Sequence, residues 1–262
     1  MEQKLGVGET LSDSFAIYRD QAGVLLPVAF WLFLAVGIVE AIAAGSLGLG
    51  LLALVISLAV STLYQGMVVE LVRDVRDGRR DYSIGELVRS VAPVVGPLLG
   101  AGLLAGLGVA GGFLLLILPG LYLLTIWAVI APAIVIERKG VSDAFGRSRQ
   151  LVSGHGWTVF WTVIVAFLIT FLAAMIFTAI AVSISDEPIL EVVLFTLATT
   201  FTAPIPALVA AVLYFRLREI KGDQPPGQPA TEGLTAPEPP TAPSAGPPPS
   251  SPPPPPPPPT SS

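Results

Sequence analysis

Few side chains in this chain could perform acid–base, nucleophilic or metal chemistry. The sequence has no cysteine and one histidine, His155, so thiolate nucleophiles, disulfides and histidine-rich metal sites are excluded. His155 stands next to Trp157 and near Trp161, with no carboxylate or hydroxyl spaced to form a relay, which is typical of an interfacial anchor. The sequence therefore predicts a protein that is not an enzyme and that uses no cofactor or metal.

The acidic residues of the apolar stretches lie near the ends of those stretches. Glu40 stands close to the end of the first stretch, while Glu70 and Glu137 close two others, near Arg73 and beside Arg138. A proton-coupled transporter usually carries an ionisable group near the middle of the bilayer. The lack of one weakens a transport function without excluding it, because uniporters and lipid-handling proteins can work without such a group.

A threonine- and proline-rich segment is the candidate intramembrane kink site. Pro204 and Pro206 cannot donate helical hydrogen bonds, and Thr199, Thr200 and Thr202 carry hydroxyls that could satisfy the carbonyls left over. Broken helices form substrate sites in transporters. A packing kink without a ligand is the favoured explanation, because Pro and Thr are common in membrane helices.

The elements that would position these residues are membrane-spanning helices. Hydrophobic residues make up 53% of the 262 residues and charged residues only 13%, and mean hydropathy is +0.75. Six stretches are long enough to cross about 30 Å of hydrocarbon, which takes about 20 helical residues. The predicted spans are 22–44, 48–70, 92–111, 114–136, 157–182 and 189–213, with a tight turn at Gly111-Gly112 between the third and fourth.

All fourteen Lys and Arg residues fall on one side of this six-span map. Because Lys and Arg are retained on the cytoplasmic side during insertion, the sequence predicts a multi-pass protein of the cell membrane with both termini in the cytoplasm. The cations Arg138, Lys139, Arg147 and Arg149 lie around one short amphipathic stretch, and each could contribute about 1 kcal/mol of attraction to an anionic leaflet. They are the candidate lipid-headgroup contacts.

A threefold repeat emerges from the segments on the cytoplasmic side. Short amphipathic helices are expected to start at Ser12, Ser83 and Ser142, each before two spans. The predicted fold is therefore all-α, with six transmembrane helices arranged as three hairpins, each preceded by an interfacial helix. This domain covers 1–221, and 222–262 is predicted to be a disordered, Pro-rich cytoplasmic tail, because 18 of those 41 residues are proline.

Glycines recur at helical spacing in the third span and suggest close helix packing. Without side chains, backbones approach closely and gain van der Waals contact in lipid. We expect this span to form the centre of the bundle or a face for a second copy. The glycines concerned are Gly96, Gly100, Gly102, Gly106, Gly108 and Gly112.

Several motifs resemble the membrane domain found in glycerophosphoryl diester phosphodiesterases and in related uncharacterised six-span proteins of bacteria and archaea. They cover most of residues 5–221. Arg216 departs from the family pattern, since members often have an aspartate there. The matching segments are Leu11–Leu26, Leu118–Leu123 followed by Trp127, Pro132 and Glu137, then Ala144–Trp157, and Pro206 with Leu213–Arg218.

The resemblance implies a six-span fold and an association with membrane lipids, but no catalysis. Phosphodiesterase chemistry in such proteins belongs to a separate barrel with catalytic histidines and metal-binding carboxylates, which this sequence does not contain. The first hypothesis is therefore a non-enzymatic lipid-associated or envelope-homeostasis accessory factor. The alternative is a small-molecule or lipid transporter that uses the kinked sixth span. Expected partners are membrane lipids, a second copy or another membrane protein, and the acidic chain is not expected to bind nucleic acid.

Overall fold

The computed structural model describes residues 5–78, 84–184 and 188–223. Within these ranges the chain is mostly helical and contains no β-strand. The helices are α1 (Val7–Asp20), α2 (Ala22–Ala43), α3 (Leu47–Arg76), α4 (Ile84–Val91), α5 (Val95–Leu115), α6 (Ile117–Ile126), α7 (Ile130–Glu137), α8 (Val141–Val152), α9 (Gly156–Ile184), α10 (Pro188–Thr202) and α11 (Pro204–Ile220), and a 3₁₀ turn (Ala92–Val94) joins α4 to α5. The predicted tail lies outside the described residues beyond Asp223.

Six helical segments are long and apolar enough to cross a membrane, so the prediction of six membrane-length helices is confirmed. Three of them combine more than one helix. The third joins α4 to α5 through the 3₁₀ turn, α6 and α7 together form the fourth, and the sixth includes most of α10 and all of α11. We number them spans one to six. Their bounds are Ala22–Ala43, Leu47–Arg76, Gly85–Leu115, Ile117–Glu137, Gly156–Ile180 and Val192–Ile220.

The turn between spans three and four was predicted at the wrong residues. Gly111 and Gly112 are helical, and the chain reverses at Leu116, whose backbone is extended. Gly112 instead permits close packing, because a Cβ there would lie 2.9 Å from the backbone Cα of Gly120 in α6. Pro119 sits in the first turn of α6, where its missing N–H costs nothing.

The centre of the bundle is α11 and not the glycine-rich third span, so that expectation was wrong. Large side chains of α5, including Leu104 and Leu107, are exposed, whereas Leu213 and Tyr214 of α11 are fully buried. α11 packs against α1, α3, α7 and α9. Its small residues, such as Ala207 and Ala211, let neighbouring helices approach closely, which is how helices gain contact energy in lipid.

The first residues of the short helices match the predicted starts to different degrees. α1 begins at Val7, five residues before the predicted Ser12, and α8 begins at Val141, next to Ser142. Ser83, the predicted start of the second, lies outside the described residues. α1 turns the small buried residue Ser14 toward the bundle and leaves Phe15 41% exposed.

Candidate functional site

An apolar cavity of about 600 Å³ lies between helices of the bundle and opens to its outer surface, where Phe113 and Phe167 of its lining are exposed. Its walls come from α3, α5, α6, α9 and α11 and from the residues that join α6 to α7. Alanine, glycine, valine, leucine, proline and aromatic side chains make up the lining. Its hydrogen-bonding side-chain groups are the Gln65 amide, the Thr170 hydroxyl and the Trp127 indole N–H. Gln65 lies five residues from Glu70 along α3, about 7.5 Å further from the charged end of the helix.

A break in span four forms one wall of this cavity. α6 ends at Ile126 and α7 begins at Ile130, and Trp127 and Ala128 between them line the cavity. Pro132 lies in the first turn of α7 and has no N–H to donate toward the preceding turn. The break is therefore a place where backbone groups require partners from outside the helix.

Ser148, a fully buried residue of α8, supplies those partners. Its hydroxyl donates to the carbonyl oxygen of Ile126 at 2.8 Å and accepts from the backbone N–H of Val129 at 3.3 Å. One side chain thus satisfies a carbonyl on one side of the break and an amide on the other. α8 is for this reason a structural part of the broken span.

Trp127 is held in the cavity wall by two close contacts. Its ring packs edge-to-face on Phe145 of α8, with centroids 4.9 Å apart. A Cβ on Gly108 of α5 would lie 2.6 Å from the indole, so only glycine leaves room for the ring at that position. The position of α8 therefore affects both the break and the indole that lines the cavity.

The second break, at Ala203 in span six, is the predicted kink site; Ala203 itself keeps helical backbone angles, so this break is in the hydrogen bonding and not in the path of the chain. Pro206 lines the cavity, whereas Thr199, Thr200, Thr202 and Pro204 are not among the lining residues. The threonine hydroxyls donate to the carbonyls of Phe195, Thr196 and Ala198, one turn back in α10, at 2.6–2.8 Å. They do not meet the carbonyls of Thr200 and Thr202 that the prolines leave without a helical donor, so that part of the prediction was wrong.

Tyr18 of α1 reaches the same break from the other side. Its hydroxyl donates to the carbonyl oxygen of Phe201 at 3.2 Å, and burial raises the pKa of that hydroxyl. α1 also lies against Leu208 of α11, where Ser14 and Tyr18 line a small cleft. A short helix is thus docked at each broken span, α8 at span four and α1 at span six.

A charged cluster around Glu137 holds α8 in place. The Nε of Arg147 donates to Glu137 at 2.8 Å, and its Nη2 donates to Asp223 at 2.6 Å. The Tyr214 hydroxyl donates to the same Glu137 carboxylate at 2.7 Å. Burial lowers the pKa of the Arg147 guanidinium, but Glu137 and Asp223 raise it more, so Arg147 stays charged at any physiological pH.

The four predicted headgroup contacts do not share one environment. Arg147 is only 14% exposed and is engaged by two carboxylates. Arg138 pairs with Glu70 at 3.0 Å, and Lys139 lies 3.6 Å from Glu137. Arg149 is exposed and forms no ion pair with another residue in the described ranges.

Arg216, the departure from the family pattern, joins α11 to α1. Its guanidinium lies 2.7 Å from Asp13 and 3.0 Å from Glu9. The sequence offered no signal for this pairing, because the partners are about two hundred positions apart. The carboxylates that pair with Arg216 therefore both belong to α1, the helix that docks at span six.

The six glycines of span three have different neighbours. Gly108 and Gly112 make the close approaches described above, and a Cβ on Gly102 would meet Thr62 at 3.5 Å. Gly106 lines the cavity and has open space beside it, as does Gly96 away from the cavity. A Cβ on Gly100 would touch Val141 of α8 at 3.4 Å.

Metal-binding clusters of three or more His, Cys, Asp or Glu side chains are absent from residues 5–78, 84–184 and 188–223. Comparison of the chain with family models, with curated proteins and with solved structures gives no match. The cavity and the two interrupted spans that line it are therefore the candidate functional site.

The sequence pointed to two of the residues that line the cavity, but not to the cavity itself. Pro206 and Gly106 were both singled out, in different roles, and the fold brings them to one cavity. The break in span four was missed, although Pro132 was a usable signal because it cannot donate within a helix. Gln65 was missed because a single amide about five turns into an apolar helix has no pattern of its own.

Proposed function

We propose that this protein is a non-enzymatic, multi-pass, lipid-associated protein of the cell membrane that receives the apolar part of a lipid in the cavity. In this proposal it acts as an accessory factor in envelope or lipid homeostasis. The cavity is the observation that carries the proposal. It lies between helices long enough to cross the membrane, and its size of about 600 Å³ falls within the range of ligand pockets, about 300–1,000 Å³.

The chemistry of the lining favours an apolar ligand and disfavours catalysis. Among the described lining residues no side chain titrates, and the hydrogen-bonding groups are an amide, a hydroxyl and an indole N–H. General acid–base catalysis requires a group that exchanges a proton near neutral pH. The mostly buried carboxylates of Glu70 and Glu137 are instead paired with Arg138 and Arg147.

The experiment fills the cavity from a position that has room for a side chain. In Gly106→Phe the new ring would enter the cavity without meeting the backbone, because nothing lies within 4 Å of a Cβ there. Native mass spectrometry of the purified protein should detect co-purified lipid in the unchanged chain and less of it in the variant. Gly96→Phe is the matched control, since Gly96 is on the same helix, equally open and outside the cavity. Equal lipid retention in all three proteins would contradict the proposal.

The proposed topology has three hairpins, each preceded by an interfacial helix, with both termini in the cytoplasm. Direct packing of α2 on α3, of α5 on α6 and of α9 on α10 supports the hairpins. Single cysteines at the exposed residues Ser46 and Ser142 of this cysteine-free chain test the orientation. An impermeant maleimide added to intact cells should label the first and not the second. The reverse pattern would place the termini outside.

The motif residues that resemble the membrane domain of glycerophosphoryl diester phosphodiesterases meet at this site. Trp127 and Pro132 lie at the span-four break, Ser148 closes it, and Glu137 joins Tyr214 to α8. Membership in that family is part of the proposal, and it rests on the resemblance of these sequence motifs.

A transporter is the second candidate, because two spans are interrupted and both contribute to one cavity. In the proposed repeat, spans four and six are the second helices of their hairpins, so the breaks occupy corresponding positions, as in many transporter binding sites. The test uses proteoliposomes that contain fluorescent NBD-phosphatidylethanolamine, with dithionite added outside. A transporter should expose inner-leaflet lipid to the reductant, and Pro206→Ala should slow this more than Pro204→Ala. A flux no greater than in protein-free vesicles would leave only the binding function.

A further inference from the structure

We infer that Gln65 is a ligand-positioning residue, and that the cavity therefore selects an elongated apolar molecule with one uncharged hydrogen-bonding group, such as a hydroxyl or ester at the end of a hydrocarbon chain. This inference rests on the proposed function and specifies its ligand. The observations are the partners of polar residues on α3, the shape of the cavity and the charge of its lining.

Gln65 differs from the buried polar residues around it on α3. The Thr62 hydroxyl donates to the carbonyl of Leu58 at 2.6 Å, and the Tyr64 hydroxyl donates to the carbonyl of Leu25 at 3.3 Å. Glu70 is paired with Arg138. The Gln65 amide makes no hydrogen bond with any other residue in the described part of the chain, and it faces the cavity.

Thr170 and Trp127 also carry hydrogen-bonding groups in the lining. The Thr170 hydroxyl donates to the carbonyl of Ala166 at 2.9 Å within α9, so its capacity to donate is used. The Trp127 indole offers one N–H and no acceptor. Gln65, which is half-buried, is the lining residue whose N–H and C=O groups are both open to a ligand.

The cavity extends away from Gln65 along one face of α5. Gly106, Val109, Ala110 and Phe113 recur at three- and four-residue spacing and line it over a rise of about 10 Å. A molecule whose polar group meets Gln65 would place a hydrocarbon chain against these residues. No charged side chain is among the described lining residues, which excludes a charged head at this end and favours an alcohol or an ester.

Two probes of equal chain length, octadecanol and octadecane, test the inference on the full-length protein. After delipidation in detergent, native mass spectrometry measures retention of each probe. We expect octadecanol to bind about three- to tenfold more tightly than octadecane, as one net hydrogen bond provides. Gln65→Leu should remove this preference while still retaining octadecane. Thr170→Val is the matched control and should keep the preference.

The outcomes separate this inference from the proposed function. Equal retention of the two probes by the unchanged protein would overturn the assignment to Gln65 and leave the lipid-binding cavity intact. Retention of neither probe, with no effect of Gly106→Phe on co-purified lipid, would overturn both. Because the comparison of probes is made on the unchanged chain, it does not depend on whether a variant folds.

Discussion

The two broken spans are closed by different means. In span four, the buried hydroxyl of Ser148 crosses from α8 and bonds to both sides of the gap. In span six, the threonines bond within α10, and Tyr18 adds one longer contact from α1. Span four therefore depends on a buried hydroxyl of a neighbouring helix, whereas in span six the backbone keeps helical angles through Ala203 and needs no such bridge. Substitutions in α8 and α1 should show how far each span depends on the helix docked against it.

The largest effect is expected from releasing α8. Arg147→Met removes the pairs with Glu137 and Asp223 and leaves a mostly buried carboxylate with fewer partners, so the free energy of unfolding should fall by about 3 kcal/mol or more. An SDS unfolding titration followed by circular dichroism measures it. Arg149→Met, two positions along the same helix but exposed, should change it by less than about 0.5 kcal/mol. Equal losses in the two variants would mean that the Arg147 pairs do not anchor α8.

A smaller effect is expected from the hydroxyl that closes span four. Ser148→Ala leaves the Ile126 carbonyl and the Val129 amide without their partner in a buried place, which should cost about 1–3 kcal/mol. The same titration measures the loss. Ser142→Ala removes an exposed hydroxyl from the same helix and serves as the control. If both variants have the same free energy of unfolding as the unchanged protein, the backbone of the break has another source of hydrogen bonds.

The smallest effect is expected at span six. Tyr18→Phe removes the 3.2 Å bond to the Phe201 carbonyl and should cost about 0.5–1.5 kcal/mol. Thr199→Ala, which removes a hydroxyl that bonds within its own helix, should cost less. A loss from Tyr18→Phe larger than that from Ser148→Ala would reverse the comparison, and span six would then be the dependent one.

The sequence predicted the number of membrane-length helices because hydropathy and length alone decide them. It could not locate the cavity, since that depends on which faces of α3, α5, α9 and α11 meet, and long-range packing leaves no local pattern. The glycines show the limit well: spacing identified Gly108 and Gly112 as positions of close approach, but not that one accommodates Trp127 and the other faces Gly120. Arg147 shows the opposite failure, because its charge suggested a surface contact although carboxylates from two other segments enclose it.

The contact of Ser148 with span four also connects the charged cluster around Glu137 with the apolar cavity. The residue belongs to a helix held by charged groups at one end of the bundle, yet its hydroxyl completes the backbone next to the indole of Trp127, deep among apolar side chains. A displacement of α8 would lengthen these bonds and move the Trp127 ring that packs on Phe145. The charged contacts of α8 therefore also fix the position of one wall of the cavity.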